Sequence, residues 1–181
     1  MITLISGTDR KNSNTLKVSL IVKRLIEEQN EKVQLIDLAL LPEGLFSPKH
    51  YGAPPAWFAD YQKMIIDTDG ILTVVPEYNG SFPGALKYFI DLLKFPESLF
   101  RKPAAFIGLS AGQFAGVRAV EQLEMIFNYR EANLFGQRVF MPKILDKLSK
   151  DEKEIVDPFI KDLLPKMISG FLSFSQKLSK K

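Results

Sequence analysis

The fold is decided by residues 70–94, which read GILTVVPEYNGSFPGALKYFIDLLK. The segment opens with a continuous apolar, β-branched run over 70–75, which Pro76 ends. An irregular stretch rich in proline and glycine follows, and residues 84–94 then have helical spacing. A strand without polar alternation is typical of a parallel sheet that is buried on both faces. This segment therefore predicts one strand, one loop and one helix of an α/β protein.

The same alternation of short apolar runs and longer amphipathic stretches continues on both sides of this segment. It predicts further strands at 2–6, 32–39, 104–109 and 139–141. It predicts further helices at 16–29, 56–68, 116–132 and about 150–178, the last interrupted at Pro158 or Pro165. Alternating strands and helices indicate a parallel sheet with helices on both faces. We therefore predict a flavodoxin-like three-layer α/β sandwich whose five-stranded parallel sheet has the order 2-1-3-4-5.

Length and composition are those of one folded domain. The chain has 181 residues, of which 46% are hydrophobic and 25% are charged. Both values are ordinary for a globular protein, and no repeat or low-complexity linker suggests a second domain. We expect a single flavodoxin-like domain over 1–181, with the helical region at about 150–178 as a C-terminal extension. The 14 phenylalanines favour a well-filled core and some apolar surface for a partner.

The residue inventory excludes several classes of site. Without cysteine the chain cannot form a disulfide scaffold, a zinc finger, an iron–sulfur site or a Cys nucleophile. The single histidine, His50, lies in a connection rich in proline and glycine, so we expect it at the surface and expect no metal site. A net charge of +3 is too balanced to indicate nucleic acid. No apolar run approaches the ~20 residues that span a bilayer, so we expect a cytoplasmic protein that binds no membrane.

In a sheet of this kind the ligand lies beyond the carboxyl ends of the strands, where the strand order reverses. The first loop at that edge, residues 7–15, has hydroxyl and amide side chains and two cations ahead of a predicted helix. Helix N-termini bind phosphate through free N–H groups and the helix dipole. The side chains that could assist are Thr8, Arg10, Ser13, Asn14 and Thr15. The alternative is ordinary capping of the helix by Ser13 or Asn14.

Two more loops end at the same edge. The second loop, 76–84, has two prolines and two glycines, and exposed backbone amides there can meet the polar edge of a planar ring. Its alternative interpretation is a tight turn at Asn79-Gly80, with Ser81 capping the next helix. The third loop, 110–116, is rich in small residues that allow close approach of a bulky ligand, or that simply form a flexible turn. Three such loops on one edge favour a shared binding site.

Two motifs resemble those of the NADPH-dependent FMN reductase family, which includes related quinone, chromate and azo-dye reductases. They are Gly7-Thr8-x-Arg10-x-x-Ser13 and Pro76-Glu77-Tyr78-Asn79-Gly80-Ser81-x-Pro83-Gly84-x-Leu86-Lys87. The order of elements also resembles that family over roughly residues 1–145. The resemblance implies that the FMN phosphate is bound by Thr8, Arg10, Ser13, Asn14 and Thr15. It implies that the flavin ring is bound by Pro76, Glu77, Tyr78, Asn79, Gly80, Ser110, Gly112 and Gln113.

The resemblance also implies an activity. It implies an FMN-dependent oxidoreductase that passes a hydride from NADPH or NADH to a quinone, azo, metal-oxyanion or flavin acceptor, and that forms a homodimer or a dimer of dimers. Such chemistry belongs mainly to the cofactor and needs no catalytic side chain. A carboxylate beside an electron-rich flavin would be repulsive, so Glu77 is interpreted as structural or as an interface residue. The alternatives are a flavodoxin-type electron carrier and a flavin-binding protein without enzymatic activity.

The chain departs from the family pattern in two loops. Thr8 stands where the family more often has serine, which keeps the hydroxyl group. Ala111 and Ala115 occupy positions of the third loop where the family usually has paired glycines. Their extra methyl groups are expected to narrow the site of the ring or to alter the access of the nicotinamide.

Overall fold

The strands pair in parallel and the helices cover both faces of the sheet. The structure is a computed structural model that describes residues 1–42 and 46–179. Within these ranges the strands are β1 (Ile2–Ser6), β2 (Val33–Asp37), β3 (Gly70–Pro76), β4 (Pro103–Leu109), β5 (Asn133–Leu134) and β6 (Val139–Met141). The α-helices are α1 (Asn14–Glu27), α2 (Phe58–Ile66), α3 (Gly84–Leu92), α4 (Val117–Tyr129) and α5 (Pro158–Ser179).

The order of the strands confirms the predicted topology. The sheet runs β2-β1-β3-β4, and β5 and β6 both pair with β4. The fifth position is thus shared by two short strands, so the predicted five-stranded sheet becomes a sheet of six strands within the described residues. Strand β5 was not predicted because its two residues are too few to show a period-two pattern.

Alternate residues of the central strands enter two separate cores. Leu4 and Val74 belong to the core under α1 and α5. Ile5 and Val75 belong to the core under α2, α3 and α4. Successive side chains of a strand point to opposite faces, which explains why these strands are apolar throughout. Five phenylalanines are among the largest fully buried side chains, as predicted for the core: Phe58, Phe89, Phe106, Phe127 and Phe171.

The last helix differs from its predicted bounds. Residues 150–157, which the pattern assigned to this helix, form turns, bends and a β-bridge instead. The helix begins at Pro158, since proline suits the first helical position, where its missing N–H is not needed. Pro165 lies inside the helix, which continues to Ser179, so the predicted interruption does not occur there.

Asp157 fixes the start of α5. Its Oδ2 accepts a 2.6 Å hydrogen bond from Lys147 Nζ, and its Oδ1 accepts a 3.0 Å bond from the N–H of Ile160. The bond from Lys147, followed by the backbone bond from Ile160, lowers the pKa of Asp157 below its ordinary value. The carboxylate also stands at the positive end of the helix dipole, which stabilises it further.

Residues 43–45, 180 and 181 belong to the predicted domain and lie outside the described residues. His50 lies in the connection between β2 and α2 and is partly exposed. None of the helices within 1–42 and 46–179 is long and apolar enough to cross a membrane.

Candidate functional site

The three loops leave the sheet side by side. Ser6 is in register with both Asp37 and Val74, and Leu109 is in register with both Pro76 and Met141. The backbone continues this alignment into the loops, since the N–H of Gly7 donates to the carbonyl of Val74 at 2.9 Å. The N–H of Glu77 donates to Leu109 O at 3.0 Å, and that of Ser110 to Met141 O at 3.2 Å. The three predicted loops therefore form one continuous edge.

Gly7 brings the first loop against β3. A Cβ atom at this position would lie 2.8 Å from Val74 O and 3.2 Å from Leu86 Cδ2. A Cβ atom only 2.8 Å from a backbone oxygen is essentially never seen, so glycine is required here unless the backbone shifts. The absence of a side chain therefore sets how closely the first loop approaches β3 and α3.

The first loop combines capping of α1 with exposed polar groups. Ser13 Oγ accepts a 3.1 Å hydrogen bond from the N–H of Leu16, so Ser13 is the N-cap, as the alternative interpretation predicted. The N–H groups at the start of α1 have no acceptor within the helix and carry its positive partial charge. Arg10 is exposed and Asn14 is partly exposed beside them. Capping and phosphate binding are compatible here, because one cap occupies only one of several free N–H groups.

Two residues predicted to contact a phosphate are enclosed by the protein. Thr8 is 0% exposed and Thr15 is 1% exposed. Thr8 Oγ1 lies 2.8 Å from Tyr78 Oη and accepts a 3.3 Å hydrogen bond from the N–H of Arg10. The guanidinium carbon of Arg10 lies 4.4 Å from the centroid of the Tyr78 ring, within cation–π range. Thr8 and Arg10 thus join the first loop to the second, and Arg10, Ser13 and Asn14 remain accessible to a ligand.

The second loop contains the predicted tight turn. Asn79 and Gly80 have φ values of 51° and 77°, the left-handed pair of a type I′ turn. Around them, Tyr78 and Ser81 exchange two backbone hydrogen bonds of 2.8 and 3.0 Å. The suggestion that Ser81 caps α3 is wrong, because Pro83 is the N-cap residue and Ser81 Oγ donates to Gln122 Oε1 at 2.6 Å. Asn79 is exposed at the tip of the turn.

Glu77 is held inside the protein. Its side chain is 9% exposed, and its Oε1 accepts a 3.0 Å hydrogen bond from Arg118 Nη1. The other carboxylate oxygen, Oε2, is buried and has no hydrogen-bond partner among the described residues. Pro76, the preceding predicted site residue, is the buried last residue of β3. The side chains at 76 and 77 therefore face protein rather than open solvent.

The third loop is anchored at one end and open in the middle. Ser110 Oγ donates a hydrogen bond to Gly112 O at 2.9 Å, and the carbonyl of Ser110 accepts a 3.0 Å hydrogen bond from the N–H of Ile144. The N–H of Lys143 donates to Gly112 O at 2.9 Å. Gly112 and Gln113 are exposed, and a Cβ on Gly112 would meet nothing within 4 Å. The loop thus offers backbone groups at a fixed position with space in front of them.

Ala115 and Gly116 turn the chain from the third loop into α4. Both have positive φ, 58° at Ala115 and 83° at Gly116. Glycine adopts this conformation more easily than alanine, so the departure from the family's glycine pattern at Ala115 falls where glycine is favoured. Ala115 is buried, with 6% exposed, so its methyl group is not part of the open surface.

Sequence reasoning missed three residues of the candidate site on or beside α4, namely Phe114, Arg118 and Gln122. The guanidinium carbon of Arg118 lies 3.9 Å from the centroid of the Phe114 ring, in addition to the bond with Glu77. Gln122 Nε2 donates to Gly80 O at 3.2 Å. Arg118 and Gln122 are four residues apart and therefore share a helix face, which is the only signal that the sequence offered.

This edge suits a ligand that carries both an anionic group and a flat ring. Helix N-termini and arginine side chains are common binding groups for anions such as phosphate, and Arg10 is exposed beside the start of α1. The exposed backbone at Gly112 and Gln113, with the turn at Asn79, offers polar groups to a ring edge. Within residues 1–42 and 46–179 no group of His, Asp or Glu side chains is placed to hold a metal ion. The donor set therefore fits FMN, as the resemblance implied.

Comparisons with known proteins agree with this geometry. The sequence model of the NADPH-dependent FMN reductase family matches residues 1–146. The chain is 31% identical over 127 residues to the quinone reductase of Escherichia coli (strain K12), covering 68% of each protein. It is 25% identical over 163 residues to the NADPH azoreductase of Bacillus sp. (strain OY1-2), covering 88% of each.

A solved structure has the same fold. FerB, a flavoenzyme NAD(P)H:(acceptor) oxidoreductase from Paracoccus denitrificans, superposes with a TM-score of 0.81 at 20% identity, covering 97% of both chains. The matched range of the family model includes all three loops and every strand of the described sheet. From this match and the quinone reductase relative, the chain belongs to the NADPH-dependent FMN reductase family of flavodoxin-like, NAD(P)H-dependent FMN enzymes.

Proposed function

We propose that this protein uses FMN to pass electrons from NADPH or NADH to a small-molecule acceptor, with a quinone as the first candidate and an azo compound as the second. The observation that carries the proposal is the joining of an anion-binding helix start to two ring-side loops on one edge. Bound FMN would supply the hydride chemistry itself. The residues of the chain would hold the cofactor at this edge.

The proposed roles of the residues follow from their exposure. Arg10, Ser13, Asn14 and the first-turn N–H groups of α1 hold the phosphate, whereas Thr8 and Thr15 act from inside by shaping the loop. Tyr78, Asn79 and Gly80 of the second loop and Ser110, Gly112 and Gln113 of the third loop would hold the ring. Backbone donors there would also stabilise negative charge on the reduced cofactor. Pro76 and Glu77 support the second loop from within.

The names of the relatives suggest which electron acceptor the protein uses. The relatives include quinone reductases, a 2-hydroxy-1,4-benzoquinone reductase of Burkholderia sp and the azoreductase. An open cofactor face discriminates weakly between flat, electron-poor molecules, so metal oxyanions and free flavin are further candidates. The exposed Phe114 is an apolar surface suited to the ring of such an acceptor.

Anaerobic reduction tests this function. The purified protein is expected to bind FMN, shown by quenching of flavin fluorescence, and NADPH is expected to bleach the bound flavin within seconds. Addition of a benzoquinone should then restore the oxidised spectrum. Slow bleaching by NADPH with rapid exchange with a redox protein would favour an electron carrier instead. Failure to bind FMN would contradict the proposal altogether.

Loss of Arg10 should weaken FMN binding selectively. The Arg10→Ala change removes a charge-assisted hydrogen bond to phosphate, and because the side chain is exposed we expect a loss of about tenfold in affinity. Riboflavin, which has the ring without the phosphate, should lose less affinity than FMN, because only the stacking of Arg10 on Tyr78 bears on the ring. Both dissociation constants can be measured by fluorescence quenching. Equal losses for both flavins would place Arg10 at the ring instead.

We also propose a homodimer that works in the cytoplasm. An apolar cavity of about 730 Å³ lies between α3 and α4 and is lined by exposed Phe95, Met125 and Tyr129. Exposed apolar surface of this kind is typical of protein–protein contacts. Light scattering should give the mass of two or four chains, and fractionation of the source cells should recover the protein with the cytosol. A single-chain mass at micromolar concentration would contradict the dimer.

A further inference from the structure

Arg118 contacts both loops that are proposed to hold the flavin ring. Its Nη1 donates a 3.0 Å hydrogen bond to Glu77 Oε1 in the second loop. The carbon of the same guanidinium lies 3.9 Å from the centroid of the Phe114 ring in the third loop. Residues 77 and 114 are 37 positions apart, so this side chain is a direct link between two separate parts of the sequence.

The hydrogen bond from Arg118 compensates for the burial of the Glu77 carboxylate. A carboxylate that is nine-tenths buried is strongly unfavourable without a partner. Glu77 Oε2 has no partner among the described residues, so the bond between Oε1 and Arg118 is the side-chain bond that compensates for burial. Phe114, by contrast, is 62% exposed, and the stacked guanidinium limits where its ring can lie.

A second residue of α4 extends the link. One helical turn after Arg118, Gln122 donates to Gly80 O and accepts a hydrogen bond from Ser81 Oγ. The second loop therefore rests against one face of α4, while the third loop leads directly into the start of that helix. Arg118 lies at the start of α4, where it contacts both loops.

We infer that Arg118 is a positioning residue, which sets the distance between the second and third loops and so the width of the flavin-ring site. This inference rests on the proposed function. Small displacements of binding groups cost affinity because hydrogen bonds to a rigid ring depend steeply on distance and angle. The positive charge of Arg118 also offsets the carboxylate of Glu77, which would otherwise oppose negative charge on a reduced flavin.

Binding of two flavins tests the inference. Arg118→Ala should weaken FMN and riboflavin by the same factor, about tenfold, since a misplaced ring site affects both ligands alike. Arg10→Ala should weaken FMN more than riboflavin. Arg118→Lys keeps the charge but not the planar stacking on Phe114, so its affinity should fall between those of Arg118→Ala and the wild type. Unchanged riboflavin binding in Arg118→Ala would overturn the inference.

Arg138→Ala is the matched control. Arg138 also pairs with a glutamate of α4, Glu124, at 3.2 Å, and its guanidinium carbon lies 5.5 Å from the Phe140 ring. Glu124 and Phe140 both lie outside the second and third loops, so loss of Arg138 should leave riboflavin binding unchanged. If Arg138→Ala weakens both flavins as much as Arg118→Ala does, the effect is general destabilisation and the inference is wrong.

Two further readouts separate positioning from damage to the fold. The midpoint potential of bound FMN should fall in Arg118→Ala, which leaves a buried carboxylate unpaired, and should rise in Glu77→Gln. Hydrogen exchange of the Tyr78 and Ser81 amides should accelerate about tenfold in Arg118→Ala relative to Arg138→Ala, with no flavin present. Exchange therefore tests the link even if the wild type binds no flavin and the proposed function fails. Unchanged exchange at Tyr78 and Ser81 would overturn the inference in either case.

Discussion

Gly116→Ala should lower the free energy of unfolding by about 4 kcal/mol, since left-handed strain and overpacking each cost about 1–3 kcal/mol. Gly116 has a φ of 83°, and a Cβ there would lie 2.6 Å from Leu109 N and 3.0 Å from two backbone carbons of Gly108. Strand β4 is central in the sheet and cannot move aside. Urea unfolding followed by circular dichroism measures the change.

Gly112→Ala is the control for this prediction. Gly112 belongs to the same loop, but a Cβ there would meet nothing within 4 Å, so stability should change by no more than about 0.5 kcal/mol. Equal stabilities of the two variants would mean that the third loop does not pack on β4 as described. If the prediction holds, the position of the third loop is fixed by a backbone contact with the sheet.

Phe171→Ala should also destabilise the protein, by about 4 kcal/mol, which is the usual cost of truncating a buried phenylalanine. Phe171 is 0% exposed and lies in the core between α5 and the sheet. Its ring centroid is 6.0 Å from that of Phe135. Denaturant unfolding of the variant, with circular dichroism as the signal, gives the value.

Phe159→Ala is the matched variant on the same helix. Phe159 is 72% exposed, so its removal should change stability by less than about 0.5 kcal/mol. Similar small effects of both substitutions would show that α5 is an appendage rather than part of the core. A large difference between Phe171→Ala and Phe159→Ala would show that α5 covers one face of the sheet as part of the core. A C-terminal extension does not in general have that role.

The strands were predictable because their apolar runs are long and are ended by clear turn residues. The run at 2–6 matches β1 residue for residue, and Pro76 ends β3 as expected. Helix α5 was less predictable. Its buried residues continue on both sides of Pro165, at Leu164 and Met167, so packing of that face outweighs the hydrogen bond that proline removes.

The site was predictable as a location and less so as a set of contacts. The rule for parallel sheets and the two motifs identified the three loops, since loop position follows from topology. The burial of Thr8 and the pairing of Glu77 with Arg118 were not predictable. They depend on side chains that meet across 70 and 41 positions of sequence, and no local pattern records such contacts.

The hydrogen bond between the hydroxyl groups of Thr8 and Tyr78 bears on the rate at which a ligand associates. It ties together two loops that would otherwise sample many conformations, and the stacking of Arg10 on Tyr78 adds a third element to the same cluster. The conformational entropy of these loops is therefore lost during folding, and ordering them does not reduce the free energy of binding. We therefore expect a ligand at this edge to need little rearrangement of these two loops, so that encounter rather than rearrangement limits its association rate.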